Sequence, residues 1–216
     1  MYYDWFVHEW DELTINQQQR FVKRFLDITI SLIVIGITWP FMAGIACLIW
    51  LVDGSPVLFN QERVGERGRP FTMYKFRTMI PVAEAQWEKQ VQYSESRVFP
   101  HKNADDPRVT VLGKWLRRTS LDELPQLFNV LLGQMSLVGP RPEMPWIVAG
   151  YEPWQYQRLA VPQGMTGLWQ VTGRSLNPMH LCTAIDIQYV EDYSIWLDAQ
   201  ILVKTPLAVF KGDGAF

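Results

Sequence analysis

The sequence predicts an α+β chain, mostly helical, with a short β-hairpin, a Pro-kinked re-entrant membrane helix and interfacial amphipathic helices. Three observations carry that prediction. An uncharged apolar run, Ile28 to Val52, holds Pro40 at its middle. Two strand-like stretches, "VLFNQERVG" and "FTMYKFRTM", flank the turn-forming "ERGRP". Apolar helix-length segments follow at Leu124 to Leu132 and Ile195 to Phe210.

The apolar run is 25 residues long. As a straight helix it measures roughly 37 Å at about 1.5 Å per residue, enough to cross a hydrocarbon core of about 30 Å. Pro40 removes a backbone hydrogen bond and kinks a helix. Gly36 and Gly44 weaken the helix on either side. Arg20, Lys23 and Arg24 precede the run, and Arg63, Arg67 and Arg69 follow it. Basic flanks mark a cytoplasmic side. Both ends therefore read as cytoplasmic, and the expectation is a segment that enters the bilayer, bends at Pro40 and returns. A kinked full span and a buried soluble helix are the alternatives.

Asp53-Gly54-Ser55-Pro56 is turn chemistry leading into the hairpin. Residues 81–100 read as a polar helix plus loop, and Val111 to Arg118 as a short helix. Gly133 can terminate the Leu124 to Leu132 helix. Pro140, Pro142, Pro145, Pro153 and Pro162 make the following stretch loop-rich, and a helix is expected from Met179 to Tyr193. The segment Ile195 to Phe210 reads equally as an interfacial helix lying on a bilayer or as a core helix.

A chain of 216 residues with net charge −2 suits one domain with at most a small second one, and gives no ground for bulk nucleic-acid binding. Cys47 and Cys182 make no disulfide framework. The first nineteen residues hold four acids and no Lys or Arg, which does not read as a signal peptide. Ten tryptophans fit a surface that meets a membrane interface, or an aromatic-rich core.

The stretch "RRTSLDELPQ" sets Asp122 and Glu123 between Arg117-Arg118 and Pro125. Ser120-x-x-Glu123 matches a capping box. Pro125 disturbs it: with Ser120 as N-cap, the proline falls where it loses a bond and clashes with the preceding turn. A start at Asp122 tolerates Pro125 but leaves fewer amides for the carboxylates to cap. At least one carboxylate is then without an obvious structural partner.

Cations recur in compact motifs. Lys75 and Arg77 alternate in "KFRTM", one face of a strand. Arg141 is held between prolines in "GPRPE", and Arg174 follows Gly173 in "TGRS". A stiffly held guanidinium suits bidentate phosphate binding. Several cations with an acidic pair describe a phosphate-handling site with a divalent metal. No GxxxxGK[ST], GxGxxG or HExxH is present, and His8, His101 and His180 have no metal-binding spacing.

The blocks "FVKRFLD", "GSPVLFNQERVG", "YKFRTM", "DPRVT", "LRRTSLDELPQLFNVLLGQMSLVGPRPE", "VPQGMTGLWQVTGRS" and "YSIWLDAQILVKT" occur in an order that resembles the bacterial sugar transferases, the monotopic polyprenyl-phosphate phosphoglycosyl transferases. The likeness runs from Phe21 to near the C-terminus. It implies an enzyme that takes a UDP-sugar, passes the sugar-1-phosphate to undecaprenyl phosphate and releases a nucleoside monophosphate, the first membrane step of exopolysaccharide, O-antigen or glycoconjugate assembly. It implies Asp122 as the nucleophile, with Glu123 and Asp122 at a Mg²⁺ ion. It implies substrate binding by Lys75, Arg77, Arg117, Arg118, Pro140, Arg141, Pro142 and Arg174. Asp186 and Asp198 fall at acidic family positions without a settled role. The implied organisation is a lead at 1–20, a re-entrant membrane helix at 21–53 and a cytosolic, membrane-associated catalytic domain at 54–216. That places the chain on the cytoplasmic face of a bacterial inner membrane, against the lipid bilayer, with a surface that tolerates a homodimer.

Many members bend at Ser-Pro where this chain has Trp39-Pro40, so the serine's part in the bend falls to another residue such as Thr38. Ala83 to Asp105 matches poorly and is a candidate for donor specificity. Larger members carry additional helices before this region, so the chain reads as a minimal form or a trimmed catalytic domain. UDP-galactose, UDP-glucose and an N-acetylated UDP-hexosamine all stay open as donors. Two other functions also stay open at this stage: a non-catalytic membrane scaffold of a glycan-assembly complex, and a nucleotide-sugar hydrolase.

Overall fold

A computed structural model describes residues 15–80, 106–173 and 183–211. The helix expected at 81–100 and most of the N-terminal lead lie outside those ranges, as do Arg174, Cys182 and the three histidines.

Helix α1, Gln17–Val52, begins earlier than the apolar run. Asn16 caps it by accepting from the Gln18 N–H at 2.9 Å. The helix runs unbroken through Pro40. Two residues before the proline, the Thr38 hydroxyl donates to the Val34 carbonyl at 2.7 Å, a back-bond of the kind that often bends helices.

Burial divides α1 into two arms. Lys23, Asp27 and Ser31 are buried at four-residue spacing, and Met42, Ile45 and Ile49 at three and four. Each set lines one helical face. Between the two sets no residue is fully buried, and Leu32, Ile33, Ile37, Trp39 and Phe41 are exposed. The first arm is tied down by polar bonds, the second by apolar packing. Full burial of a side chain such as Ile45 or Ile49 is worth about 1.5–3 kcal/mol.

The expected hairpin is present. Strands β1, Leu58–Val64, and β2, Pro70–Phe76, pair antiparallel with Leu58 opposite Phe76 and Val64 opposite Pro70. Helix α2, Val111–Arg118, follows, capped by Thr110, whose hydroxyl accepts from the Gly113 N–H at 2.9 Å. A single 3-10 turn, Leu121–Glu123, leads through Pro125 into α3, Gln126–Leu131, shorter at its start than expected. Gly133, at φ +78°, ends it as predicted. Arg24 of α1 closes the end of α3, its guanidinium donating to the carbonyls of Val130 and Leu131, the latter at 2.7 Å.

The stretch expected to be loop-rich contains more order than that. Strands β3, Ser136–Val138, and β4, Gly164–Thr166, pair in parallel. A Cβ on Gly164 would lie 2.1 Å from the Gly139 nitrogen, and one on Gly139 would lie 2.2 Å from the Pro162 carbonyl oxygen. Only glycine permits that approach. Between the strands come α4, Pro145–Val148, and a 3-10 segment, Pro153–Leu159. The chain continues through α5, Leu168–Gly173, α6, Thr183–Glu191, and α7, Ile195–Lys211. Helix α6 covers part of the predicted 179–193. In α7, Asp198 and Ile201 face inward, while Trp196, Val203 and Leu207 are exposed.

The main core joins Phe71 and Met73 of β2, Leu127 and Val130 of α3, Leu137 and Val138 of β3, Tyr189 of α6 and Ile201 of α7. A second cluster packs Met42, Ile45 and Ile49 of α1 against Phe76 and Leu116. Leu124 touches both clusters, so the two arms of α1 rest on one continuous body.

Candidate functional site

The acidic pair sits where the 3-10 turn, β2 and the loop after β3 converge. Ser120 takes the left-handed conformation, φ +55°, and makes no side-chain cap bond. The capping-box reading therefore fails, because the side chain of Glu123 is held elsewhere. Lys75 Nζ of β2 donates to Glu123 Oε1 at 3.0 Å. Arg141 reaches the same carboxylate with both terminal nitrogens, Nη2 to Oε1 and Nη1 to Oε2, the second at 3.3 Å. This fork-on-carboxylate geometry is the strong form of the interaction. A local cap has lost to two tertiary cations.

Asp122 is treated differently. It is buried, 8% exposed. Among the described residues its carboxylate accepts no hydrogen bond. Burial and then the charge of Glu123 push its carboxyl above the ordinary carboxylate range, while Lys75, Arg117 and Arg141 pull it down without cancelling the rise. For Glu123, burial also acts upward, but Arg141 and Lys75 outweigh it and hold the group well below its usual value. Burial draws Lys75 below the usual ammonium value even against the charge of Glu123. The 3.0 Å contact nevertheless stands as an ion pair. Two adjacent carboxylates are thus driven apart: one clamped and ionised, the other more basic and without a hydrogen bond among the described residues.

Arg117 owes its place to a close approach. A Cβ on Gly113 would lie 2.2 Å from the Thr78 carbonyl oxygen, so α2 packs directly on the chain leaving β2. From there Arg117 Nε donates to Thr78 Oγ1 at 2.9 Å. Arg118, on the next position of α2, is exposed to solvent. Arg77 follows the end of β2 and is buried, donating to the carbonyls of Asp53 at 2.7 Å and Gly54 at 2.8 Å. The alternation that pairs it with Lys75 ends with the strand, and its hydrogen bonds fasten the end of α1.

Pro140 and Pro142 are buried on either side of Arg141. The proline rings supply no N–H, so this loop is held through its carbonyls. Gly164 N–H donates to Pro140 O at 2.8 Å, Arg158 Nη2 to Arg141 O at 2.7 Å, and Arg63 Nη1 to Pro142 O at 3.0 Å.

The two remaining acids form buried pairs. Asp186 accepts from Arg158 Nε at 3.1 Å and Nη2 at 2.6 Å. Asp198 accepts from Lys23 Nζ at 2.7 Å and from the Tyr189 hydroxyl at 2.6 Å. Nothing in the sequence reading singled out Arg158, Glu143 or Asn129. Asn129 bridges α3 to β2, accepting from the Tyr74 N–H at 3.0 Å and donating to Thr72 O at 2.7 Å. An amide within the apolar "LFNVLL" was the available signal.

As to a metal, no group of three or more His, Cys, Asp and Glu side chains is gathered among the described residues. Among the described residues the protein would offer the pair Asp122 and Glu123. That donor set fits Mg²⁺, which is commonly held by one or two carboxylates together with substrate phosphates and water.

The structure thus sets an acidic pair among cations on a body to which a long apolar helix is fastened. The chain belongs to the bacterial sugar transferase family, which matches residues 18–212. It is 40% identical over 219 residues to the undecaprenyl-phosphate galactose phosphotransferase of Salmonella typhimurium, covering 93% of this chain and 43% of that protein. It is 37% identical over 201 residues to the UDP-N-acetylgalactosamine-undecaprenyl-phosphate N-acetylgalactosaminephosphotransferase of Aeromonas hydrophila, covering 90% and 45%. The exopolysaccharide production protein ExoY of Rhizobium meliloti is 36% identical over 199 residues, with 90% of this chain and 88% of that protein covered. The chain thus spans less than half the length of the first two relatives and most of the third.

Proposed function

We propose that this chain transfers a sugar-1-phosphate from a UDP-sugar to undecaprenyl phosphate through a phosphosugar ester on Asp122. One observation carries the reading: a buried carboxylate that accepts no hydrogen bond among the described residues lies beside a second one already neutralised by Lys75 and Arg141. The relatives' names supply the substrate classes.

Asp122 Oδ forms a bond to the sugar-bearing phosphorus while the bridge to the other phosphate breaks, and UMP leaves with the bridging oxygen. A phosphate oxygen of undecaprenyl phosphate then bonds to the same phosphorus, and the aspartyl–phosphorus bond breaks to regenerate the carboxylate. Two displacements at one site let a soluble donor and a lipid acceptor bind in turn. Lys75, Arg117 and Arg141 screen the diphosphate so that a carboxylate can approach it. Mg²⁺, held by Glu123 and Asp122, would add charge neutralisation at the phosphate oxygens.

The two-arm anchorage of α1 supports a re-entrant topology. Both arms rest on the same body, while the stretch around Pro40 offers an exposed apolar surface. A body confined to the cytoplasmic face would hold both ends of the helix there. The exposed face of α7, with Trp196, Val203 and Leu207, suits the same interface.

UMP release from a panel of UDP-sugars, with and without undecaprenyl phosphate, tests the reaction and identifies the sugar. Release that needs no lipid, with free sugar phosphate as the other product, would replace the transferase with a hydrolase. No release from any donor would favour a scaffold.

A further inference from the structure

Arg158 is fully buried, yet its charge is matched on every side. Nε and Nη2 bind Asp186, and Nη1 binds the Tyr151 hydroxyl at 2.5 Å and lies 3.5 Å from Glu143 Oε1. Among the described residues, its guanidinium reaches the main chain from Nη2 to the carbonyl of Arg141. Arg63, itself buried, holds the next carbonyl, that of Pro142, and Val64 N–H holds that of Glu143 at 2.9 Å. With prolines at 140 and 142, amide bonds cannot fix this loop from those positions. Its backbone orientation, and so the direction of the Arg141 side chain toward Glu123, depends on donors to its carbonyls.

We infer that Arg158 is a positioning residue, which acts through the Arg141 carbonyl to set the fork that Arg141 places on Glu123. Asp186 and Tyr151 orient Arg158 for this task. The inference rests on the phosphoglycosyl transfer reading for its kinetic consequence. Arg158 touches none of the reacting atoms in that scheme. A lysine here keeps the charge but cannot bind Asp186 and the carbonyl as a planar fork. A small misplacement of a binding group can cost up to about a hundredfold.

The test compares wild type, Arg158→Lys, Arg141→Ala and the double variant as full chains in lipid nanodiscs, with kinetics normalised to folded protein. Arg158→Lys is expected to lower kcat/KM roughly tenfold or more, mainly through a higher KM for the UDP-sugar. In the Arg141→Ala background the same change is expected to cost little further, because its effect runs through Arg141. Equal losses in both backgrounds, or a lower melting temperature with KM unchanged, overturn the inference. Asp186→Asn keeps an acceptor but loosens Arg158. It is expected to raise KM by a smaller factor, and it carries the test if Arg158→Lys does not fold; an unchanged KM there overturns the inference equally. Failure of the transferase reading is seen separately, as the lack of lipid-dependent UMP release by wild type.

Discussion

Lys23 near the start of the chain and Asp198 near its end form a buried ion pair, Nζ to Oδ2 at 2.7 Å. The same ammonium donates to the Val138 carbonyl at 2.8 Å, one residue before the glycine that leads into Pro140 and Arg141. Asp27, one turn along α1, accepts from Ser136 Oγ at 3.0 Å and from the Leu137 N–H at 2.9 Å. The strand that delivers Arg141 is therefore fastened to the apolar helix at each of its three residues.

Removing one member of this pair strands the other charge. Lys23→Met is expected to destabilise the fold by about 3–5 kcal/mol, and Lys23→Met with Asp198→Leu to recover a large part of it. Denaturant titration in detergent measures both. Equal stability of the single and double variants would show that the stranded charge is not the cost.

Asp122→Asn removes the proposed nucleophile while keeping its shape. Transfer is expected to fall about a thousandfold or more, and the labelled phosphosugar–protein adduct to vanish. Intact-mass analysis after incubation with donor alone checks this. An adduct retained by the asparagine variant moves the nucleophile to another residue.

The pH profile follows from the divergent pair. In the proposed reaction Asp122 must be ionised to attack, and its carboxyl lies above its ordinary value of 3.8. Activity should therefore rise with pH through a limb displaced upward from that value, while Glu123 stays ionised throughout. Arg117 favours the ionised form of Asp122. Arg117→Gln is thus expected to move the limb to still higher pH in kcat/KM measurements. A shift downward contradicts the assignment of that limb to Asp122.

Gly139→Ala or Gly164→Ala places a methyl against backbone at little over 2 Å, where no side chain can yield. Each is expected to cost more than the about 1–3 kcal/mol typical of overpacking, and to lower transfer, since β3 and β4 carry the Arg141 loop between them. Thermal unfolding and UMP release report the two effects.

Single cysteines at the two ends of α1, outside its buried positions, are expected to react with a membrane-impermeant thiol reagent only when the cytoplasmic side is accessible. Reaction of one end from outside intact cells would establish a spanning helix.

Much of the architecture was legible because it rests on local patterning. The hairpin showed in its strand-like residues and turn, and α3 in an apolar stretch closed by Gly133. Pro125 already weakened the capping box, since a helix cannot easily carry a proline at that depth. What the sequence could not reveal was competition over distance. Glu123 looks like a cap until Lys75 and Arg141 arrive from 48 and 18 residues away. Arg77 looks equivalent to Lys75 until the strand stops between them. Strands β3 and β4 have three residues each, too few to show a period. Arg158 reads as an ordinary surface arginine, although the apolar Leu159-Ala160-Val161 directly after it, all fully buried, hints that the segment turns inward.

Helix α1 is not a detachable anchor. It lends Met42, Ile45 and Ile49 to one cluster, closes the end of α3 with Arg24 and grips β3 with Lys23 and Asp27. A fragment trimmed to begin after Val52 in the hope of water solubility would take Met42, Ile45 and Ile49 away from Phe76 and Leu116 and leave the carbonyls of Val130 and Leu131 without their guanidinium. Efforts to crystallise or assay this protein without lipid or detergent are better directed at the outward residues, such as Phe21, Ile37 and Trp50, than at the helix as a whole.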